Sequence, residues 1–211
     1  MNIIKFDEKK LEKSVIDIIK GIGYQHTEGS SIKRDSDKEV LIKEDLHKYL
    51  STNYTDLTVN EINKILFELD SFSSNDLYET NKKFYQLIVS GKIFKRDDSK
   101  KNDIFLNLIN KQSEKNIYRV VYQFKIVGKE KRIPDLIIYI NGMPVVLFEF
   151  KSAIKVNTNI NDAYRQLKIR YKRDIPDIFK YNLFCIISDG IDNRSGSIFS
   201  TFENFYSWRR S

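Results

Sequence analysis

The feature that most constrains this chain is a pair of apolar runs, LIIYI and VVLF, joined by the four residues 141–144 (NGMP). Asn141-Gly142 is a strong signal for the tight turn of a β-hairpin. The first run follows Pro134-Asp135 and the second leads into Glu149-Phe150-Lys151, so both strands carry an acid at corresponding ends. Because side chains alternate along a strand, Glu149 and Lys151 lie on the same face.

The length of the hairpin connection decides whether the two acids meet. A three-residue connection after Ile140 places Asp135 opposite Glu149. A connection of two or four residues shifts the pairing by one residue, and the two acids then project from opposite faces of the sheet. A β-bulge restores the pairing, and Gly142 would allow one. We therefore expect the two carboxylates to lie close together, through either a three-residue connection or a bulge.

Carboxylates beside long apolar runs are costly unless they are paired or bind a metal ion. Asp135 and Glu149 can share a divalent cation, and Mg²⁺ usually takes one or two carboxylates with water and phosphate oxygens. The Phe150 carbonyl could supply a further oxygen, while the Lys151 ammonium can orient the attacking water and offset phosphate charge. This chemistry suits phosphodiester hydrolysis. The alternative is a solvated strand edge with a surface ion pair, because both short motifs also occur by chance.

Composition sets limits on the class of protein. The chain has 211 residues, 41% hydrophobic and 31% charged, which suits one domain with a real core. The single cysteine, Cys185, excludes an internal disulfide and a cysteine-based zinc site and favours a reducing compartment. The sequence predicts neither a signal peptide nor a membrane-spanning stretch. A net charge of +7 favours an anionic partner, with simple solubility as the alternative.

The order of elements predicts an α/β fold with a mixed central sheet flanked by helices. Helices are predicted at 7–21, 41–51, 58–69, 75–90 and 159–173. Strands are predicted at 103–109, 117–127, in the hairpin 135–151 and at 182–188. A capping box is expected at 58–61 and a polar surface loop at 28–39. We expect one domain, 1–211, with a mainly helical part (1–100) and a catalytic sheet (101–211).

Several spaced motifs resemble one known family. The segment 132–151 (RIPD through EFK) resembles the nuclease hairpin in the N-terminal domain of type I restriction enzyme R subunits, within the PD-(D/E)xK nuclease superfamily. The resemblance extends from about Leu11 to Trp208. Further matching segments follow in the expected order: 81–91, 122–124, 174–182 and 187–190.

The resemblance implies a restriction-endonuclease-like fold and an endonuclease that depends on Mg²⁺ or Mn²⁺. Asp135 and Glu149 would be its metal ligands, and Lys151 its catalytic lysine. Many enzymes of the superfamily also bring an acid from the first helix towards the metal. Glu12 could do this, although an exposed helix glutamate is the simpler interpretation.

The family carries a Gln-x-x-x-Tyr motif on the helix after the hairpin. Gln166 matches the glutamine and is assigned to the site, but Arg170 occupies the tyrosine position and Tyr171 follows it. On a regular helix Gln166 and Arg170 share a face, while Tyr171 is turned away by about 100° more. Either Arg170 takes the part of the tyrosine, or the helix is locally wound differently.

The resemblance implies double-stranded DNA as the substrate, cut without sequence recognition by this domain. Basic residues near the predicted site are candidates for phosphate contacts, with a solvated helix face as the alternative. They are Arg132, Lys155, Arg165, Lys168 and Lys172. The implied partners are the methyltransferase and specificity subunits of a prokaryotic, cytoplasmic restriction complex, without a membrane. No phosphate-loop motif occurs, so ATP would serve only the helicase-like translocase domains of a full-length subunit, which we expect this chain to lack.

Two other functions fit parts of the pattern. A non-catalytic DNA-binding or docking module would use the same fold, but the intact set of Asp135, Glu149 and Lys151 argues against it. Another PD-(D/E)xK nuclease, such as a DNA repair enzyme, would share the hairpin. The helical N-terminal part and the 174–182 motif argue against that second alternative.

Overall fold

The computed structural model of the chain describes residues 7–152 and 159–207. The α-helices within these ranges are α1 (Glu8–Gly21), α2 (Lys43–Asn53), α3 (Val59–Asp70), α4 (Leu77–Ser90), α5 (Ile160–Arg165) and α6 (Lys172–Asp174). The strands are β1 (Gln25–Glu28), β2 (Lys92–Phe94), β3 (Ile104–Leu106), β4 (Tyr118–Tyr122), β5 (Ile126–Val127), β6 (Lys131–Arg132), β7 (Leu136–Ile140), β8 (Met143–Phe150), β9 (Phe184–Ser188), β10 (Asn193–Gly196) and β11 (Tyr206–Ser207). Among these helices, none is long and apolar enough to cross a lipid bilayer.

A seven-stranded sheet forms the centre of the fold, in the order β1-β4-β7-β8-β9-β10-β11. β1 is parallel to β4 and β8 is parallel to β9, while the other neighbours are antiparallel. Every residue of β8 is buried, as expected for a central strand. The predicted α/β class with a mixed central sheet is confirmed.

Side-chain caps fix where the N-terminal helices begin. The Asp7 side chain accepts a hydrogen bond from the Lys10 amide at 2.9 Å, and Thr58 forms the predicted capping box with Glu61. Helix α4 ends at Gly91, whose φ of 64° suits glycine. The four predicted N-terminal helices are therefore confirmed to within a few residues at each end.

The strands differ from the prediction in three places. The predicted strand 117–127 is broken at Gln123, whose φ of 54° ends β4 and directs the chain into a separate β5–β6 hairpin. The predicted strand 103–109 shortens to β3 and pairs with β2 outside the central sheet. Five strands were missed, because these short segments lack the alternating apolar pattern on which strand prediction rests: β1, β2, β6, β10 and β11.

The β7–β8 hairpin has a two-residue turn, which excludes the first of the two alternatives, a three-residue connection. Ile140 pairs with Met143, and Asn141 and Gly142 both have positive φ, 51° and 79°. The turn is buried beneath the start of α2. The Ile42 amide donates to the Gly142 carbonyl at 2.9 Å, and a Cβ on Gly142 would lie 2.2 Å from the Ile42 carbonyl oxygen.

A β-bulge restores the register that pairs Asp135 with Glu149, which was the second alternative predicted from the sequence. The pairing shifts between Ile138 and Tyr139 and leaves Val145 as the extra residue of β8. Its carbonyl accepts hydrogen bonds from the Leu183 amide at 2.8 Å and from Asn182 Nδ2 at 3.3 Å. The bulge therefore lies at Val145, held by the segment that leads into β9, and not at the glycine of the turn.

Candidate active site

The acids at the ends of β7 and β8 face each other. Leu136 pairs with Phe148, so Asp135 stands one step further along, opposite Glu149. Both carboxylates are buried, with Asp135 7% exposed and Glu149 0% exposed. The Phe150 amide donates to Asp135 Oδ2 at 2.8 Å and ties this acid to the neighbouring strand. Two apolar strands thus bring two carboxylates to one buried point.

Lys151 is the cation beside these acids. Its Nζ donates to Glu149 Oε1 at 2.7 Å and to the Phe150 carbonyl oxygen at 2.9 Å. Burial lowers the pKa of Lys151, but the contact with Glu149 and the charges of Asp135 and Glu8 together raise it above its ordinary value. Lys151 is therefore protonated at neutral pH and acts as a hydrogen-bond donor rather than as a base.

Glu149 carries an oxygen atom that the surrounding protein leaves unsatisfied. Among the described residues, none donates a well-formed hydrogen bond to Glu149 Oε2, although this atom is buried. Burial, followed by the charge of Asp135, raises the pKa of Glu149, and burial raises the pKa of Asp135 as well. Two buried carboxylates with one ammonium leave a deficit of positive charge, which a divalent cation would correct.

The helix that follows β8 contains a π-helical turn, Gln166–Tyr171, between α5 and α6. A π turn bonds residues five apart, so Gln166 and Tyr171 meet on one side of the helix. Gln166 Nε2 donates to the Tyr171 hydroxyl at 2.9 Å, and this hydroxyl donates to the Ile133 carbonyl at 3.3 Å. Arg170 is exposed. The helix is thus wound differently from a regular α-helix, and Tyr171 rather than Arg170 lies towards the carboxylates.

Tyr171 is buried next to the two acids. Burial, and then the charges of Glu149 and Asp135, raise the pKa of Tyr171 far above its ordinary value, so the hydroxyl stays neutral. Hydrogen bonding by Tyr171 lowers the pKa of Glu149, which partly offsets the effect of burial on that acid. Among the described residues, Glu149 Oε2 still has no hydrogen-bond partner, so this oxygen keeps its capacity for a ligand.

Helix α1 adds two further acids to the site. Glu8, Glu12 and Asp135 offer carboxylate oxygens that all lie within 4.8 Å of one another. Glu12 is buried and accepts a hydrogen bond from the Tyr122 hydroxyl at 2.9 Å, and burial raises the pKa of Glu12. The expectation of an exposed helix glutamate is therefore wrong. Sequence analysis missed Glu8 and Tyr122, although the spacing of Glu8 and Glu12 already places them on one helix face.

This donor set suits a hard divalent cation. Mg²⁺ and Mn²⁺ prefer oxygen ligands, and Glu8, Glu12 and Asp135 form a group of carboxylates close enough to share one ion. Glu149 on β8 stands opposite Asp135 in the register of the hairpin. The unsatisfied Glu149 Oε2 is an independent sign that the protein groups alone do not complete the site. The Phe150 carbonyl, considered above as a further ligand, already accepts a hydrogen bond from Lys151.

Two of the basic residues predicted to contact phosphate are bound within the protein. Arg132 Nε donates to the buried carboxylate of Asp174 at 2.8 Å. Lys168 Nζ donates to two backbone carbonyls of the 198–200 segment, at 2.8 and 3.0 Å. Each of these side chains therefore stabilises local structure in this conformation, and a phosphate would have to compete with an existing acceptor.

The other three predicted phosphate contacts differ in their surroundings. Lys172 holds its ammonium 5.3 Å from the centre of the Phe199 ring, a cation–π distance. Arg165 is exposed on α5. Lys155 lies outside the described residues.

Two asparagines from the matching motifs serve the scaffold. Asn81 Nδ2 donates to the carbonyls of Phe179 and Asn182 at 2.9 and 2.7 Å. Asn182 in turn donates to the Val145 carbonyl at the bulge. Helix α4 is thereby connected to the strand that carries Glu149, so these motif residues position the site without lining it.

Comparison with known proteins supplies the family. The family described as type I restriction enzyme R protein N terminus matches residues 5–204. A type I restriction enzyme endonuclease subunit of Methanocaldococcus jannaschii, MjaIXP, is 29% identical over 94% of this chain and 20% of its own length. The HindI endonuclease subunit of Haemophilus influenzae is 25% identical over 96% of this chain and 20% of its own length. The chain spans about a fifth of the length of these relatives. From the match along almost its whole length, the chain belongs to the family of type I restriction enzyme R protein N-terminal regions.

Proposed function

We propose that this chain is the metal-dependent endonuclease domain of a type I restriction enzyme, and that it cleaves double-stranded DNA without reading its sequence. The observation that carries the proposal is the buried group of Asp135, Glu149 and Lys151, with an unsatisfied oxygen on Glu149. The relatives are named as endonuclease subunits, which supports the same reaction.

Asp135 and Glu149 would hold Mg²⁺ or Mn²⁺, with Glu12 as a further ligand from α1. A bound divalent cation lowers the pKa of water and offsets charge on phosphate oxygens. Because burial raises the pKa of both Asp135 and Glu149, cation binding near neutral pH would release protons from them.

Lys151 would contact the scissile phosphate or the attacking water. Its ammonium stays protonated beside Glu149, so it can donate hydrogen bonds to phosphate oxygens and to a water molecule but cannot accept a proton. Its stabilisation of developing negative charge is strongest in a buried site from which bulk water is excluded.

We assign the tyrosine part of the family motif to Tyr171. Its neutral hydroxyl, fixed by Gln166 and the Ile133 carbonyl, would orient the Glu149 carboxylate. Gln166 would act through Tyr171, because its amide donates to that hydroxyl. Arg170 points to solvent and has no part in this arrangement.

The rest of the activity would depend on regions outside this chain. An ATP-driven translocase in the full-length subunit would deliver DNA, and ATP would bind only there. Target recognition and methylation would belong to specificity and methyltransferase subunits in the cytoplasm of a prokaryote. The share of the relatives that this chain spans, about a fifth, leaves ample length for such a motor.

The test is cleavage of plasmid DNA by the assembled enzyme. Asp135→Ala, Glu149→Ala and Lys151→Ala should each abolish cleavage while the circular dichroism spectrum and cooperative unfolding persist. Glu114→Ala and Lys115→Ala are matched controls, since both residues are exposed on the short segment that precedes β4. Full cleavage by any of the first three variants would refute the proposal, and DNA binding without cleavage by the wild-type enzyme would favour the docking module.

The isolated chain tests the dependence on a motor. It should cut DNA poorly with Mn²⁺, because DNA delivery depends on translocation. Efficient nicking by the 211-residue chain alone would contradict that dependence. Anomalous X-ray signal from Mn²⁺ between Asp135 and Glu149 would test the metal site directly.

A further inference from the structure

A basic concavity of about 280 Å³ lies between the β5–β6 hairpin and the chain segment after α6. Its charged lining residues are Lys38, Lys129, Arg173 and Asp177, and we call it the hairpin concavity. We propose that the hairpin concavity binds a backbone phosphate of the DNA duplex at a distance from the cleavage site. This inference rests on the proposed function and adds a substrate contact to it.

Backbone hydrogen bonds fix the segments that carry the cations. The Val127 amide donates to the Asp37 carbonyl at 2.9 Å, which brings Lys38 beside β5. The Lys129 amide donates to the Asp174 carbonyl at 2.7 Å, which holds the hairpin tip against the end of α6. The cations therefore stand on a preformed framework, so binding a phosphate requires little ordering of the main chain.

The two lysines supply free positive charge. Lys38 and Lys129 are exposed, and in the described part of the chain no carboxylate pairs with either ammonium. Lys125, which directly precedes β5, differs from these two lysines because its ammonium forms an ion pair with Asp37 at 2.5 Å. An incoming phosphate would thus meet two cations that give up no protein contact on binding.

The remaining charges near the hairpin concavity largely balance, so its positive charge comes from the two lysines. Arg173 and Arg132 share the carboxylate of Asp174, and the charge of Glu130 also acts on Arg173. Asp177, the acidic residue of the lining, is paired with Lys180 at 3.4 Å. The hairpin concavity therefore favours a small anion with several oxygen acceptors, and its volume holds a phosphodiester group with a few waters of about 30 Å³ each.

The hairpin concavity lies close enough to the two acids for one DNA duplex to contact both. The chain runs from Lys129 through β6 to Asp135, and at about 3.6 Å per residue these Cα atoms are at most about 22 Å apart. Successive phosphates of one DNA strand advance by about 3.4 Å along the duplex axis. A duplex with its scissile phosphate at Asp135 that runs towards β6 would place a phosphate at most about six nucleotides away beside the lysines.

The experiment measures binding of a fluorescent duplex by the 211-residue chain without divalent cations, as a function of KCl concentration. Each lost phosphate contact lowers the slope of log K against log salt by about 0.9, so K38A/K129A should lower it by about 2. The same variant should bind roughly tenfold or more weakly at 0.1 M salt. K111A/K115A removes the same charge from two exposed lysines before β4 and should leave both quantities unchanged.

Unchanged affinity and slope in K38A/K129A would overturn the inference, as would a wild-type chain without measurable affinity for the duplex. Equal losses in K111A/K115A would also overturn it, because they would indicate diffuse attraction by net charge. Calorimetric titration with Mn²⁺ separates this result from the proposed function. A chain that binds no Mn²⁺, in an enzyme that does not cleave, refutes the nuclease proposal, while the salt slope still decides whether the concavity binds phosphate.

Discussion

Glu149→Gln should stabilise the metal-free protein at alkaline pH, although it removes a residue proposed to be essential for cleavage. Burial, followed by the charge of Asp135, raises the pKa of Glu149 to about 8. An exposed glutamate has a pKa of about 4.3, and glutamine has nearly the same shape without the charge. The substitution therefore removes the cost of holding a carboxylate in a buried site without leaving a cavity.

The pH dependence follows from proton binding in the two states. At pH 4 the acid is largely protonated in both, and little stability is lost. As pH rises from about 4 to 8 the unfolded state ionises first, so the folded wild-type protein loses stability. The difference between a pKa of about 4.3 in the unfolded state and about 8 in the folded state corresponds to at most about 5 kcal/mol at pH 9. Coupling to Asp135 and loss of the charged contact with Lys151 reduce the gain in the variant to about 2–4 kcal/mol.

Urea unfolding of the 211-residue chain in EDTA at pH 5, 7 and 9 measures this difference. We expect Glu149→Gln to exceed wild type in free energy of unfolding by no more than about 1 kcal/mol at pH 5 and by about 2–4 kcal/mol at pH 9. Exposed Glu114→Gln is the control and should match wild type throughout. Mn²⁺ should stabilise the wild type and not Glu149→Gln. A difference independent of pH, or a variant less stable than wild type at pH 9, would refute the reasoning.

Four further changes examine the helix that carries Tyr171 and the hairpin that carries the two acids. Tyr171→Phe removes the hydroxyl bound by Gln166 and should slow plasmid cleavage by the assembled enzyme about 10- to 100-fold; a change below twofold would contradict the positioning role. Deleting Ile169, an exposed residue of the π turn, should leave Gln166 and Tyr171 on one face of a regular α-helix and preserve cleavage, whereas inserting an alanine there should abolish it. Gly142→Ala forces a Cβ against the main chain of the 42–46 segment and should lower the free energy of unfolding by about 3 kcal/mol or more. Gly21→Ala, where a Cβ meets nothing within 4 Å, is the control for that measurement.

Sequence predicted the elements whose ends are set by local chemistry. Thr58 begins α3 through a capping box, Gly91 ends α4, and Asn141-Gly142 forms a turn that needs positive φ at both residues. The break at Gln123 could not be predicted, because glutamine has no preference for positive φ and the tertiary contacts impose it. Strand β1 was not predicted for a related reason, since its polar residues form a strand only by pairing with β4.

The central part of the site followed from side-chain alternation, but its surroundings did not. Alternation correctly placed Asp135 opposite Glu149 once a bulge was allowed. The sequence left the choice between Arg170 and Tyr171 open, because an apolar pattern of short length fits both an α turn and a π turn. Glu12 is buried only because α1 packs against the strand that carries Tyr122, a long-range contact that periodicity in α1 does not encode.

The turn and the bulge of the β7–β8 hairpin together limit which insertions and deletions this hairpin can tolerate. Asp135 and Glu149 face each other because an odd number of residues separates them. The two-residue turn and the extra residue Val145 together leave three unpaired residues, as many as a three-residue connection would have. An insertion or deletion of one residue changes this parity and turns the face of β8 that carries Phe148 towards Asp135. Because the turn is buried under α2, it has little room to absorb such a change. Tolerated length changes in this hairpin should therefore come in pairs.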